Sequence, residues 1–219
     1  MGRQCSPTHG RGNGNRRTAA TRREPDTVRA PCIILVRHGP TAHRHAGGMV
    51  NRDGILRWRE AYDRAGIAAD QPPAALRHLA SQATHIIASD LPRAVMSAEF
   101  LVPTRQIITS DLLRETPLAI PRWPTPLPVG VWDGLVHLCW SYRILRGTDV
   151  VDVERARVVA AAGWLTAFVA NESTALVVTH GVFRRLLAKQ LLAQGWSRAE
   201  RRGGYAPWSS WTFYGDSSR

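Results

Sequence analysis

Residues Ile33 to Val36 form a wholly apolar run that stops abruptly at Arg37, His38, Gly39 and Pro40. A short, largely β-branched run of this kind suits a strand buried on both faces of a parallel sheet. The pattern recurs twice: Thr84 to Ser89 is a second apolar run that gives way to Asp90, and Thr174 to Thr179 ends in His180-Gly181. Parallel strands joined by right-handed crossovers bring their carboxyl ends to one rim of a sheet, where open α/β folds bind ligands. The expected fold is therefore α/β, a three-layer sandwich with a mostly parallel central sheet flanked by helices.

The segments between these strands read as helices and loops. Ala42 to Asp53 is a loop holding His43, Arg44 and His45, and Leu56 to Ala65 is an amphipathic helix that Gly66 can terminate. Pro72-Pro73 precedes a short helix from Ala74 to Ala80. Ser89 or Asp90 stands where it can cap the next helix, which has Pro92 in its first turn and Ala94, Val95, Ala98 and Leu101 as its apolar stripe. Gln106 to Ser110 is a further strand candidate, and a strand-like Leu112-Leu113 pair runs into Arg114-Glu115. Prolines at 117, 121, 124, 126 and 128 demand an extended loop from Thr116 to Pro128. Helices are expected over Leu135 to Leu145, Val153 to Val169 and Val182 to Ala193, with Asp133 placed to cap the first of them.

At 219 residues and 44% hydrophobic, the chain can bury the core of one ordinary domain. Met1 to Ala30 is rich in Arg, Gly, Thr and Asn and has almost no large apolar residue, so residues 1–30 read as a disordered basic tail and 31–219 as the domain. That tail also lacks the apolar core of a secretory signal. The longest nearly uncharged apolar run, Val158 to Ala170, is too short to cross a bilayer. Cys5, Cys32 and Cys139 are odd in number and widely spaced, which argues against a disulfide framework and a zinc site. The expected location is the cytoplasm.

The formal charge of +12 is carried almost wholly by arginine, with Lys189 the only lysine. Guanidinium forks favour phosphate and carboxylate ligands. Nucleic acid is not the expected partner, because no Phe, Tyr or Trp interleaves the tail's arginines for stacking on bases. His43 and His45, two apart in a loop without a supporting carboxylate, make a poor metal site, so neither a metal nor a cofactor is expected.

Three strand ends thus deliver chemistry to one rim: Arg37 and His38 after the first, Arg93 one turn into the helix after the second, and His180 after the third. A cation in the first turn of a helix is opposed by the helix dipole, and an anionic ligand would resolve that conflict for Arg93. A phosphoryl group carries close to two negative charges, so an imidazole can attack it only after cations have neutralised its oxygens. The attacking imidazole must itself be neutral, which neighbouring arginines promote.

Four segments carry a family likeness, in this order: Leu35-Val36-Arg37-His38-Gly39-Pro40-Thr41, Ala88-Ser89-Asp90-Leu91-Pro92-Arg93-Ala94, Leu113-Arg114-Glu115 and Val178-Thr179-His180-Gly181. The chain resembles the histidine phosphatase superfamily, the phosphoglycerate-mutase-like enzymes. The resemblance implies His38 as nucleophile, Glu115 as proton donor, and Arg37, Arg93 and a protonated His180 as the phosphate pocket. It further implies a phosphohistidine intermediate and no metal. Arg44 stands where the family often has an asparagine and joins the substrate-binding set. Two departures accompany it: the Leu-Thr-x-x-Gly segment is missing, and Trp132-Asp133-Gly134 lies beyond the whole proline-rich loop. The activity implied is metal-independent hydrolysis of a small-molecule phosphomonoester. The alternatives are a phosphomutase of the same family and a non-enzymatic protein that binds a phosphorylated ligand or nucleic acid. Intact His38, Glu115 and His180 argue against a mere scaffold.

Overall fold

The computed structural model describes residues 30–43, 47–117, 120–146, 149–170 and 173–216. The expected tail, apart from Ala30, lies outside the described residues, as do Arg44 and His45. Strand β1 (Cys32–Arg37) is followed by the two-residue β2 (Met49–Val50), α1 (Arg52–Arg64), α2 (Ala74–Gln82), β3 (His85–Ser89), α3 (Pro92–Leu101) and β4 (Ile108–Ser110). A single 3-10 turn, Asp111–Leu113, leads to β5 (Leu127–Pro128), α4 (Val129–Arg146), α5 (Asp149–Phe168), β6 (Thr174–Thr179), α6 (Gly181–Ala193), β7 (Ser197–Arg202) and β8 (Ser210–Tyr214).

The main sheet runs β4-β3-β6-β1-β8-β7. Pairing is parallel from β4 through β1 and antiparallel between β1, β8 and β7. Side chains alternate across a strand, and β1 uses both of its faces. Ile33 and Leu35 enter a core with Val158 and Leu165 of α5 and Phe183 and Leu187 of α6. Ile34 and Val36 enter another with Leu76 of α2 and Ala94 and Ala98 of α3. This is the expected mostly parallel sandwich, with its helices on both faces of the sheet. A third, smaller cluster joins Ile55 of α1 to Val129 and Trp132 of α4 beyond the sheet edge.

Several boundaries differ from the sequence expectation, each for a local reason. The Asn51 side chain accepts from the Gly54 amide at 2.9 Å, so α1 starts at Arg52 rather than at Leu56. Helix α4 begins at Val129, which puts Asp133 inside the helix and not at its cap. The Leu112-Leu113 pair belongs to the 3-10 turn, where Leu113 is fully buried, and not to a strand. Leu91, which offers no side-chain bond, is the N-cap of α3, and Ser89 Oγ accepts from the Leu91 amide at 3.3 Å rather than from an amide inside the helix. Residues Leu127 and Pro128 of the proline-rich segment pair with β2.

The sequence reading ends near Gly195 and misses β7 and β8, whose signal is the alternation of buried Trp211 and Phe213 after the Gly203-Gly204 turn. Phe213 is fully buried and opposite Ile33 on β1. Phe213→Ala is expected to cost about 3–5 kcal/mol, lowering the thermal midpoint by roughly 6–20 °C. Arg198→Ala on the exposed edge strand should stay within about 0.5 kcal/mol of the parent in the same melt.

Candidate active site

Four backbone and side-chain bonds hold the turn that follows β1. The amide of Arg37 donates to the Ser209 carbonyl at 3.0 Å and that of His38 to the Thr179 carbonyl at 3.0 Å. The Gly39 amide donates to Ser97 Oγ at 2.9 Å, and the Ala68 amide to the Pro40 carbonyl at 2.7 Å. Trp208 closes the turn from above. Its backbone φ of 61° is the left-handed conformation, which costs a bulky residue about 1–3 kcal/mol. Its amide meets the Arg37 and His38 carbonyls, and its indole Nε1 donates to Asp70 Oδ2 at 2.9 Å. A Cβ on Gly39 would overlap the Trp208 ring, so only glycine fits there.

His38 is buried, with Nδ1 at 2.7 Å from its neighbour's carbonyl oxygen, Gly39 O. A carbonyl only accepts, so Nδ1 carries the proton and Nε2 holds the free lone pair. Burial, reinforced by Arg93, Arg37 and Arg184, pushes the imidazole pKa down to about 3 against the opposing bond to Gly39. The ring lies beside His180, with centroids 5.1 Å apart. His180 follows β6 as the N-cap of α6 and is fully buried, with Nε2 at 2.9 Å from Ser89 Oγ and Nδ1 without a partner among the described residues. Burial, followed by His38, Arg93, Arg37 and Arg157, holds its pKa well below the ordinary value. Without an anion His180 is therefore held neutral; the protonated form is expected only against a bound phosphate.

Arg37 and Arg93 approach from two sides. The Arg37 guanidinium lies over Gly181, where an added Cβ would sit 3.5 Å from Cζ, and Nη1 donates to the Tyr205 carbonyl. Arg93 is 1% exposed; it donates to the Tyr62 carbonyl at 3.1 Å and to Asp63 Oδ1 at 3.2 Å, and sits 4.5 Å over the Tyr62 ring. The dipole conflict expected for Arg93 is thus already eased by the Asp63 carboxylate. Both arginines keep a buried Nε with no partner among the described residues.

Glu115 leaves the 3-10 turn and reaches the start of α6. Its Oε1 accepts from the amides of Thr116 and Phe183, each at 2.9 Å, and its Oε2 from that of Val182 at 3.2 Å. Two N–H donors at the N-terminus of α6, with the adjacent Thr116 amide as a third, fix the carboxylate in place. Arg37, Arg93, Glu115 and Gly181 line one end of a cavity of about 430 Å³. Asp133 lines the same cavity and lies 3.5 Å from His137 one helical turn on.

Of the six sequence-derived site residues, Arg37, Arg93 and Glu115 line this cavity; His38 and His180, 5.1 Å apart, are buried and are not part of its lining, and the sixth, Arg44, lies outside the described residues. Sequence reasoning missed Tyr62 and Asp63, which hold Arg93, and the Trp208-Ser209 pair, which holds the turn. Ser89 does not cap α3 as its position suggests. Its hydroxyl meets His180, while Asp90 forms a two-point ion pair with Arg114 at 2.7 and 2.5 Å. The strand-end position of Ser89 was the available signal.

A family model of the histidine phosphatase superfamily (branch 1) matches residues 33–218. The chain belongs to that superfamily. Among solved structures it is similar to mycobacterial hydrolase 1, at 22% identity over 75% of this chain and 82% of that one, with a TM-score of 0.52. A phosphoglycerate mutase from Bacillus anthracis matches at 16% identity, 76% and 83% coverage and a TM-score of 0.48. A mycobacterial glucosyl-3-phosphoglycerate phosphatase matches at 21% identity, 75% and 80% coverage and a TM-score of 0.47. At these identities the likeness is one of fold. No curated protein matches the chain.

The depressed pKa of His38 has a consequence for stability. Above pH ~6.5 the imidazole is neutral in both folded and unfolded chains and contributes nothing. Below it the unfolded chain takes up a proton that the folded chain refuses until the pH nears about 3, so stability falls as the pH falls through that window. Between pH 6 and 5 the parent should lose about 1 kcal/mol more than His38→Gln in urea unfolding. Equal losses would show that His38 titrates normally.

Proposed function

We propose that the chain is a metal-independent phosphatase that hydrolyses a small-molecule phosphomonoester through a phosphohistidine on His38. The observation that carries this reading is a set of three buried nitrogens without partners among the described residues, Arg37 Nε, Arg93 Nε and His180 Nδ1, on the residues grouped about a neutral imidazole. Buried polar groups ordinarily find partners, and phosphoryl oxygens would supply acceptors to all three. The dianion would also reverse the electrostatics at His180, drawing a proton onto the ring once bound.

In the proposed reaction the His38 Nε2 lone pair forms the P–N bond as the P–O ester bond breaks in line. Arg37, Arg93 and His180 hold the equatorial oxygens. Glu115 gives its proton to the departing oxygen; the resulting carboxylate then takes one from water, whose oxygen attacks phosphorus and breaks the P–N bond. Free phosphate and the restored imidazole complete the cycle. Residues 31–219 carry this chemistry, and the tail to residue 30 holds no group it uses. The family likeness supports phosphoryl transfer, and water as the acceptor is the reading adopted for this chain.

Because both Glu115 and Asp133 line the cavity, their roles are separated by leaving group. General acid catalysis is worth about a hundred- to ten-thousand-fold, chiefly when the departing oxygen is a poor leaving group. With a chelator present, Glu115→Gln should slow hydrolysis of alkyl phosphates by that order while sparing release of the phenol from an activated aryl phosphate in the first turnover. Asp133→Asn should affect both substrates alike and little. The reverse pattern would move the proton donor to Asp133, and hydrolysis that stops with chelator would exclude the metal-independent route.

A further inference from the structure

Beyond its phosphate end the cavity is walled by aromatic and aliphatic side chains. Trp58 and Tyr62, one helical turn apart on α1, stack with ring centroids 5.2 Å apart and planes 28° from parallel. The stack continues at both ends: Arg93 covers Tyr62 at 4.5 Å, and the His43 ring lies 5.4 Å from Trp58. A column of flat groups therefore runs outward from the arginine that faces the phosphate. Ile55, Ile120, Val129 and Val136 add aliphatic wall, with the polar Arg59, Asp133 and His137 beside them. Trp132, also in the lining, is fully buried with its Nε1 tied to the Val50 carbonyl at 2.9 Å, and backs the Ile55–Val129 wall.

Charge on this half is mixed, with His137 standing beside Asp133. Apart from Arg37 and Arg93, the arginine in the lining is Arg59, whose Nη2 points to the Thr116 carbonyl at 3.4 Å, and Asp133 stands in the same wall with opposite charge. A second anionic group on the substrate would meet the Asp133 carboxylate there as well as Arg59 and His137. The volume of about 430 Å³ is in the range that accepts a phosphoryl group together with a ring-sized substituent.

We infer that the group esterified to phosphate is a planar, uncharged ring system held against the Trp58–Tyr62 stack. This rests on the assignment of Arg37 and Arg93 to the phosphate, since that end of the substrate fixes where the other must lie. A ring there gains apolar burial and aromatic contact together, whereas a polyol or a carboxylate brings polar groups against Ile55, Val129 and Val136 and gains neither.

Benzyl phosphate and glycerol 3-phosphate test the inference, because both release a primary alcohol and differ mainly in the group that must fit the wall. The parent should prefer benzyl phosphate in kcat/KM by at least about fivefold, the order of an aromatic contact plus its burial. Trp58→Ala should collapse that preference, chiefly through KM, and Trp58→Phe should retain it. Binding of benzylphosphonate and methylphosphonate, measured by calorimetry, reads the same preference without turnover. Tighter binding of the benzyl compound with neither ester hydrolysed would sustain the aromatic subsite while overturning the phosphatase reading. Hydrolysis without preference, or a preference untouched in Trp58→Ala, would overturn the subsite and leave the phosphatase reading standing.

Discussion

An imidazole kept uncharged among guanidinium groups is the constraint on which the site depends. Arg37, Arg93 and Arg184 all disfavour a proton on His38, and burial disfavours it more. Among the described residues Arg93 alone of the three has a carboxylate within ion-pair distance. Arg184 is fully buried and rests on the Ser209 and Gly204 carbonyls at 2.6 and 3.2 Å, with its guanidinium 4.1 Å above the Trp211 ring. Burial and the nearby Arg37 push its pKa down to about 9. Such an excess of positive charge in a low-dielectric interior is costly when the protein is alone. It favours a ligand with two negative charges.

The scaffold imposes this arrangement through strand ends. Register along β1 and β6 aligns Arg37 with Thr179, so that His38 and His180 leave adjacent parallel strands side by side. The antiparallel β8 begins at the same rim and supplies the Trp208-Ser209 corner, which accepts from Arg37 and Arg184 and presses an indole onto Gly39. The left-handed backbone at Trp208 is a local strain sustained by the Asp70 bond and by packing. The geometry of His38 therefore depends on a strand far from it in sequence.

What the sequence discloses follows from which signals are local. Apolar runs that stop at Arg37, Ser89 and His180 are read directly, because a strand buried on both faces needs continuous apolar residues and its end releases polar ones. The boundary of α4 is not legible in the same way: Gly130 and Gly134 argue against a helix, yet Val129 and Trp132 pack on Ile55 and override them. Strands β7 and β8 escape notice because Arg198, Arg201 and Arg202 make β7 resemble a solvated loop, as edge strands often do. Ser89 and Asp90 look like helix caps by position, while their true partners, His180 and Arg114, are distant in the chain. Tyr62 and Asp63 belong to a helix whose amphipathic pattern says nothing of Arg93.

The central claim is that His38 acts through Nε2 as a neutral nucleophile, because Nδ1 is engaged with the Gly39 carbonyl. Rapid quenching of the protein during turnover of a radiolabelled phosphomonoester, followed by mapping of the label, tests this most directly. The account predicts phosphate on Nε2 of His38, stable to base and lost in acid. Turnover with no label on the protein, or label on Nδ1 or on His180 instead, would contradict it.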